Sequence, residues 1–176
     1  MGVLGKSGLI HEFNPQLVYS EDASCEPFWD RIYHKAFPNL VNHMLCRGDV
    51  KSQRMGIDRV ILLSNGQILY IDEKKRRKDR DDILLEYISA DTTHAPGWIE
   101  KDLAIDYLAY AFMESQRVYL FPWLMLRRAW GNYKTAWINK YKPPIIAQSR
   151  GYQTISVAIP IMILKKAIST ATTIQL

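Results

Sequence analysis

The stretch "GIDRVILLSNGQILYIDEKKRRKD", residues 56–79, sets Asp58 before an apolar run, a tight turn, and a second apolar run ending in Asp72-Glu73-Lys74-Lys75. Strand residues two apart share a face, so acid-x-lysine spacing puts a carboxylate and an ammonium side by side. If the turn brings Asp58 alongside them, two or three carboxylate oxygens can hold a hard divalent cation while the lysine holds or deprotonates a water. Hydrolysis of a phosphodiester asks for both, because the phosphate charge must be neutralised and a hydroxide supplied at neutral pH. Asp58, flanked by Ile57, Val60, Ile61 and Leu62, is costly to bury alone, and a cation or a lysine is its natural partner.

Turn geometry decides which acid meets Asp58. If Asn65-Gly66 close a two-residue type I′ turn, Ser64 pairs with Gln67 and Asp58 shares a face with Glu73 and Lys75. If Ser64-Asn65 form a type I turn with Gly66 left-handed in a bulge, Leu63 pairs with Gln67 and Asp58 lies opposite Asp72, on the face of Lys74. Tyr70 on that second face suits the edge of a polar site, which favours the second frame.

The elements around this hairpin follow from periodicity and breakers. Pro27, the four-residue recurrence of Trp29, Tyr33 and Phe37, and Pro38 predict a first helix. Strands are expected at 56–63, 68–75 and 83–89, then an amphipathic helix over "WIEKDLAIDYLAYAFM" with Leu103, Tyr107, Leu108 and Ala111 on one side. A strand at 117–121, a helix running toward Pro143 with Gly131 as a break point, the strand "YQTISVAI", and a helix from Pro160 to about Ala171 complete the order. The expected fold class is α/β (α+β).

This order, with Gly-Ile-Asp on the first strand and Ile-Asp-Glu-Lys ending the second, resembles the PD-(D/E)XK nuclease superfamily over roughly residues 26–121. The resemblance implies a restriction-endonuclease-like core of helix, three-stranded antiparallel meander, helix and strand, here with a C-terminal helix-strand-helix addition. In that family an aspartate on the second core strand, and an acid two residues before a lysine on the third, bind magnesium, and the lysine orients water. Carried across, the resemblance implies Asp58 as first metal ligand, Asp72 or Glu73 as the second acid and Lys74 or Lys75 as the lysine, with Asp72 and Lys74 the favoured pair, Mg²⁺ as cofactor and Mn²⁺ a substitute. The string looks most like members using Asp-x-Lys. Two departures stand out: Ile57 occupies the place of the eponymous proline, and the acid-x-lysine motif reads in two frames.

Accessory candidates are Glu26, four residues before Asp30 at the start of the first helix, Gln53, Glu86 within "LLEY", and Lys75. Glu26 also suits a helix start on dipole grounds alone. The run Lys75, Arg76, Arg77, Lys78 and Arg80, together with Arg127 and Arg128, is expected to grip a nucleic-acid backbone. Residues 117–176 carry nine Lys and Arg and no acid, so all 18 Asp and Glu precede them and the net charge of +5 is unevenly spread. Clustered cations gain free energy by releasing counterions from a polyanion, which makes DNA the expected partner. Monomer and homodimer are both compatible with the sequence.

With 176 residues, 48% of them apolar, the chain is expected to form one domain: an irregular arm over 1–23, a core over 26–121 and a basic C-terminal extension over 122–176. It has no 18-residue apolar run and no signal-peptide pattern, so a cytoplasmic location without a membrane partner is expected. "GVLGKSG" lacks the upstream glycine of a phosphate-binding loop, and Cys25, His34, His43 and Cys46 lack zinc-finger spacing. The competing functional class is a non-catalytic nucleic-acid-binding or assembly module, in which the acids serve packing or ion pairs.

Overall fold

Glu26 and Pro27 open helix α1 (Glu26–Ala36), which buries Phe28, Trp29, Ile32 and Tyr33 along one stripe and ends before Pro38. The structure, a computed structural model, describes residues 10–12, 25–46, 48–168 and 172–175. Among these residues the architecture is mixed α/β, with a six-stranded sheet, a five-stranded sheet and four helices.

The larger sheet begins with an antiparallel meander of β2 (Leu40–Leu45), β3 (Arg59–Leu63) and β4 (Ile68–Arg76). Between β2 and β3 a short helix α2 (Val50–Arg54) is capped by Asp49, whose carboxylate accepts the Ser52 N–H at 2.7 Å. At the β3–β4 turn, Leu63 N–H donates to Gln67 O and Gly66 N–H to Leu63 O, both at 2.9 Å. Gly66 has φ +81°, so a type I turn with a left-handed glycine bulge closes the hairpin and sets Arg59 against Ile71.

From β4 the chain leaves for the second sheet through β5 (Asp82–Ala90) and β6 (Ala95–Pro96), then returns as β7 (Tyr107–Phe112), parallel to β4. Strand β8 (Arg117–Pro122) follows antiparallel, giving way to helix α3 (Trp123–Lys140). Strands β9 (Ile145–Ser149) and β10 (Tyr152–Pro160) build the second sheet, where β10 pairs with β5. Strand β1 (Ile10–Glu12) pairs with β9, helix α4 covers Ile161–Ala167, and β11 (Thr172–Gln175) pairs with β8. The rest of the expected N-terminal arm lies outside the described residues.

Two apolar layers result. The α1 stripe packs on Ile61, Leu69, Ile71, Ala109, Ala111, Val118 and Leu120 of the larger sheet. The opposite face of that sheet, with Leu108, Tyr110, Phe112 and Phe121, packs on Ile83, Leu85, Val157 and Ile159 of the second sheet and on Trp123, Leu126, Trp130 and Trp137 of α3.

Several expectations are corrected. The segment 98–113 is not one helix: a 3₁₀ turn spans Trp98–Glu100 and β7 takes 107–112. Its run Tyr-Leu-Ala-Tyr-Ala-Phe is buried on both sides as a central strand, and such a run mimics helical spacing when its neighbours are acidic. Strand β5 does not join the meander, because β4 pairs with β7 on that side and β2 supplies the third member. Helix α3 runs through Gly131 unbroken, and the terminal helix stops at Ala167. Cys25 and Cys46 are free thiols. No described helix is long and apolar enough to cross a membrane.

Gly97 is required where β5 and the turn before β7 approach. A Cβ there would stand 2.2 Å from Glu86 O, whereas a Cβ on Gly131 meets nothing within 4 Å. Urea unfolding should therefore show Gly97→Ala losing about 2 kcal/mol or more, and Gly131→Ala gaining about 0.5–1 kcal/mol from helix propensity.

Candidate active site

Adjacent residues of a strand face opposite ways, and β4 carries Asp72 and Glu73 into opposite layers. Both are buried, with 3% and 4% of their surface exposed.

On the face away from α1, the Lys74 ammonium donates to Asp72 Oδ1 at 2.5 Å. Asp58 sits just ahead of β3, where the ladder ends. Its N–H donates to Ile71 O at 2.9 Å, and its Oδ2 accepts the Glu73 N–H at 2.8 Å, standing in for a backbone carbonyl. The Asp58 carboxylate stands close enough to Asp72 to disfavour ionisation of its carboxyl. Burial first, and then the Asp58 charge, push the Asp72 carboxyl up to about 7 despite the pull of Lys74. Burial works against the Lys74 ammonium, but Asp72 and Asp58 outweigh it and hold its pKa above the ordinary value. Glu86 on β5 is close enough to add to that effect, and burial raises its own carboxyl against the attraction of Lys74 and Lys101. The group therefore gathers more carboxylate than ammonium charge around the buried Asp72.

Glu73 belongs to the other face. Its side chain, 0% exposed, receives Arg59 Nε at 2.6 Å and the Tyr33 hydroxyl at 2.9 Å. Arg59, 1% exposed, spends its remaining donors on Glu26, at 2.9 and 3.0 Å, and on His43 Nδ1 at 2.9 Å. A guanidinium only donates, so His43 Nδ1 accepts and its proton lies on Nε2, which donates to Asp30 Oδ1 at 2.9 Å. Burial and Glu73 drive the Tyr33 hydroxyl well above its usual pKa, and its ring lies under the Arg59 guanidinium, 5.4 Å from centroid to Cζ.

The expectation that Glu73 joins Asp58 in holding metal is therefore corrected: β4 aims it at Arg59. Glu26 goes with it, across the sheet from Asp72. Gln53 is exposed on α2, and Lys75 shares the face of Glu73. Asp30, His34 and His43 bring ligand atoms within 4.8 Å of one another, the one such trio among the described residues, but the His43 nitrogen available there already carries the proton given to Asp30. By the same measure no third acid joins Asp58 and Asp72. Sequence reasoning passed over Arg59, although its place two residues before buried Ile61 marks it as inward-facing.

The basic run also divides. Arg76 is held by Asp82 at 2.6 Å, while Arg77, Lys78 and Arg80 are exposed beyond the end of β4. Arg77 lies five residues past Asp72, roughly 16 Å along a strand. Arg127 donates to Lys101 O and stacks on Trp123, and Arg128 is exposed beside it on α3.

Two outcomes are expected. In urea unfolding, Arg59→Ala should cost about 3–5 kcal/mol by stranding the Glu73 charge, whereas Arg59→Met/Glu73→Leu should cost much less. The folded chain binds the Asp72 proton more tightly than an unfolded aspartate of pKa about 3.9 does, so this group favours folding at low pH and loses that contribution as pH rises to about 7. Asp72→Asn should therefore gain stability over wild type across that window in urea unfolding with chelator present. Comparison of the chain with protein-family models, with curated proteins and with solved structures gave no match.

Proposed function

We propose that the protein is a metal-dependent nuclease that hydrolyses DNA phosphodiester bonds at Asp58, Asp72 and Lys74. The observation that carries this reading is the buried Asp72 with the partly exposed Asp58 and Lys74 beside it, where burial first and then the Asp58 charge push the Asp72 carboxyl up to about 7. Asp58 and Asp72 offer oxygen ligands only, which fits Mg²⁺ or Mn²⁺. When bound, such a cation neutralises charge on the scissile phosphate and lowers the pKa of water.

Lys74, anchored by Asp72, is placed to hold the attacking water and steady the charge that builds on the phosphate. Glu86 is a candidate to take its proton, since burial raises its carboxyl above an ordinary acid. Water adds to phosphorus as the phosphorus–oxygen bond to the leaving nucleotide breaks, and a proton passes to that oxygen.

The resemblance to PD-(D/E)XK nucleases gains support from the sheet order. Helix α1 precedes β2, β3 and β4, and β7 follows parallel to β4. Strand β2 shifts the count, so that Asp72 and Lys74 lie on the third strand, as in that family, while Asp58 stands one residue ahead of the second strand, which carries the family's aspartate. The crossover from β4 to β7 differs, passing through the second sheet where a helix is expected.

Cleavage of linear and branched DNA with Mg²⁺ tests the proposal. Asp58→Ala, Asp72→Asn and Lys74→Ala should each lose on the order of 10²–10³-fold in rate, while Arg59→Met/Glu73→Leu retains metal-dependent cleavage. Unchanged rates in the first three variants would remove the site assignment.

A further inference from the structure

A cavity of about 770 Å³ opens where β4 and β7 begin and α3 starts, within the size range of small-ligand pockets. Tyr70, Leu103, Asp106, Trp123 and Arg128 are among its walls. Tyr70 stands on the same face of β4 as Asp72 and Lys74, two residues or roughly 7 Å from Asp72. Tyr70 is 37% exposed, yet its backbone is fixed: Tyr70 N–H donates to Asp106 Oδ2, and Tyr70 O accepts Asp106 N–H, both at 2.8 Å.

The charges around the cavity are mixed. Asp102 and Asp106 balance Arg127 and Arg128, so the interior does not concentrate phosphate. Arg127 is engaged by Lys101 O and by Asp102 at 3.9 Å, while no acid among the described residues pairs with Arg128. An aromatic wall inside and an exposed guanidinium at the rim suit a planar, uncharged ring carrying an anion on one side. A nucleobase with its phosphate has that form, and aromatic stacking accepts any base.

We propose that this cavity receives one unpaired DNA nucleotide beside the cut, its base stacked on Tyr70 and its phosphate on Arg128. The inference rests on the nuclease reading above. A base inside a continuous duplex reaches such a pocket only after unpairing and unstacking, whereas an extrahelical or single-stranded base does not bear that cost. The substrate class is therefore DNA with unpaired nucleotides at the site of cleavage.

The full chain, with Ca²⁺ as the neutralising cation, is titrated into two duplexes. One carries a single extrahelical 2-aminopurine and the other carries the same base fully paired. The extrahelical probe should bind about tenfold tighter, with its emission quenched by the tyrosine. Tyr70→Ala should remove the preference, Tyr70→Phe should keep it, and Arg128→Ala should weaken it. Equal affinity in the wild type overturns the pocket while leaving the nuclease reading intact if Mg²⁺ still supports cutting that Asp72→Asn abolishes. A preference surviving in Tyr70→Ala also overturns the pocket, and binding of neither duplex overturns the pocket and the nuclease reading together.

Discussion

One buried strand, β4, carries two consecutive carboxylates into opposite layers of the molecule, and each demands its own source of positive charge. Glu73 has Arg59, which in turn is surrounded by Glu26, His43 and Tyr33. That network is closed: every guanidinium nitrogen has an acceptor, and His43 hands the chain of hydrogen bonds on to Asp30. It fixes the distance between α1 and the sheet, so its worth is structural and its loss costly.

Asp72 is treated differently. Lys74 is the cation paired with it among the described residues, and the Glu73 N–H holds the Asp58 carboxylate beside the strand. Burial of Asp72, and then the Asp58 charge beside it, outweigh the single ammonium, and the chain answers by holding a proton on Asp72 to higher pH. Neutralised acids on one side and under-neutralised acids on the other divide the strand into a face closed by its own ion pairs and a face with negative charge left over. Stability is given up on the second face, the kind of local conflict expected where a site binds something else.

Much of this was legible in Ser64-Asn65-Gly66-Gln67. The turn favours a left-handed glycine, and a one-residue change in closure decides whether Asp72 or Glu73 meets Asp58; the reading that left Gly66 in a bulge is the one observed. Less legible was what surrounds the hairpin. Leu40–Leu45 contains Asn42 and His43 and lies at the sheet edge, so its pattern was too weak to read as β2, and without β2 the strand count was off by one. Tyr107–Phe112, buried on both sides, lost the alternation that marks a strand. Arg59 was invisible as a core residue because charge argues for solvent, and only its tertiary partners reverse that argument.

The central claim is that the Asp58–Asp72 face, and not the Glu73 or His43 side of the sheet, is the cation site. Anomalous scattering from crystals soaked in Mn²⁺ tests it most directly. The account predicts a peak between the Asp58 and Asp72 carboxylates with Glu73 still paired to Arg59. A peak only at Asp30, His34 and His43, or one that draws Glu73 away from Arg59, would contradict it.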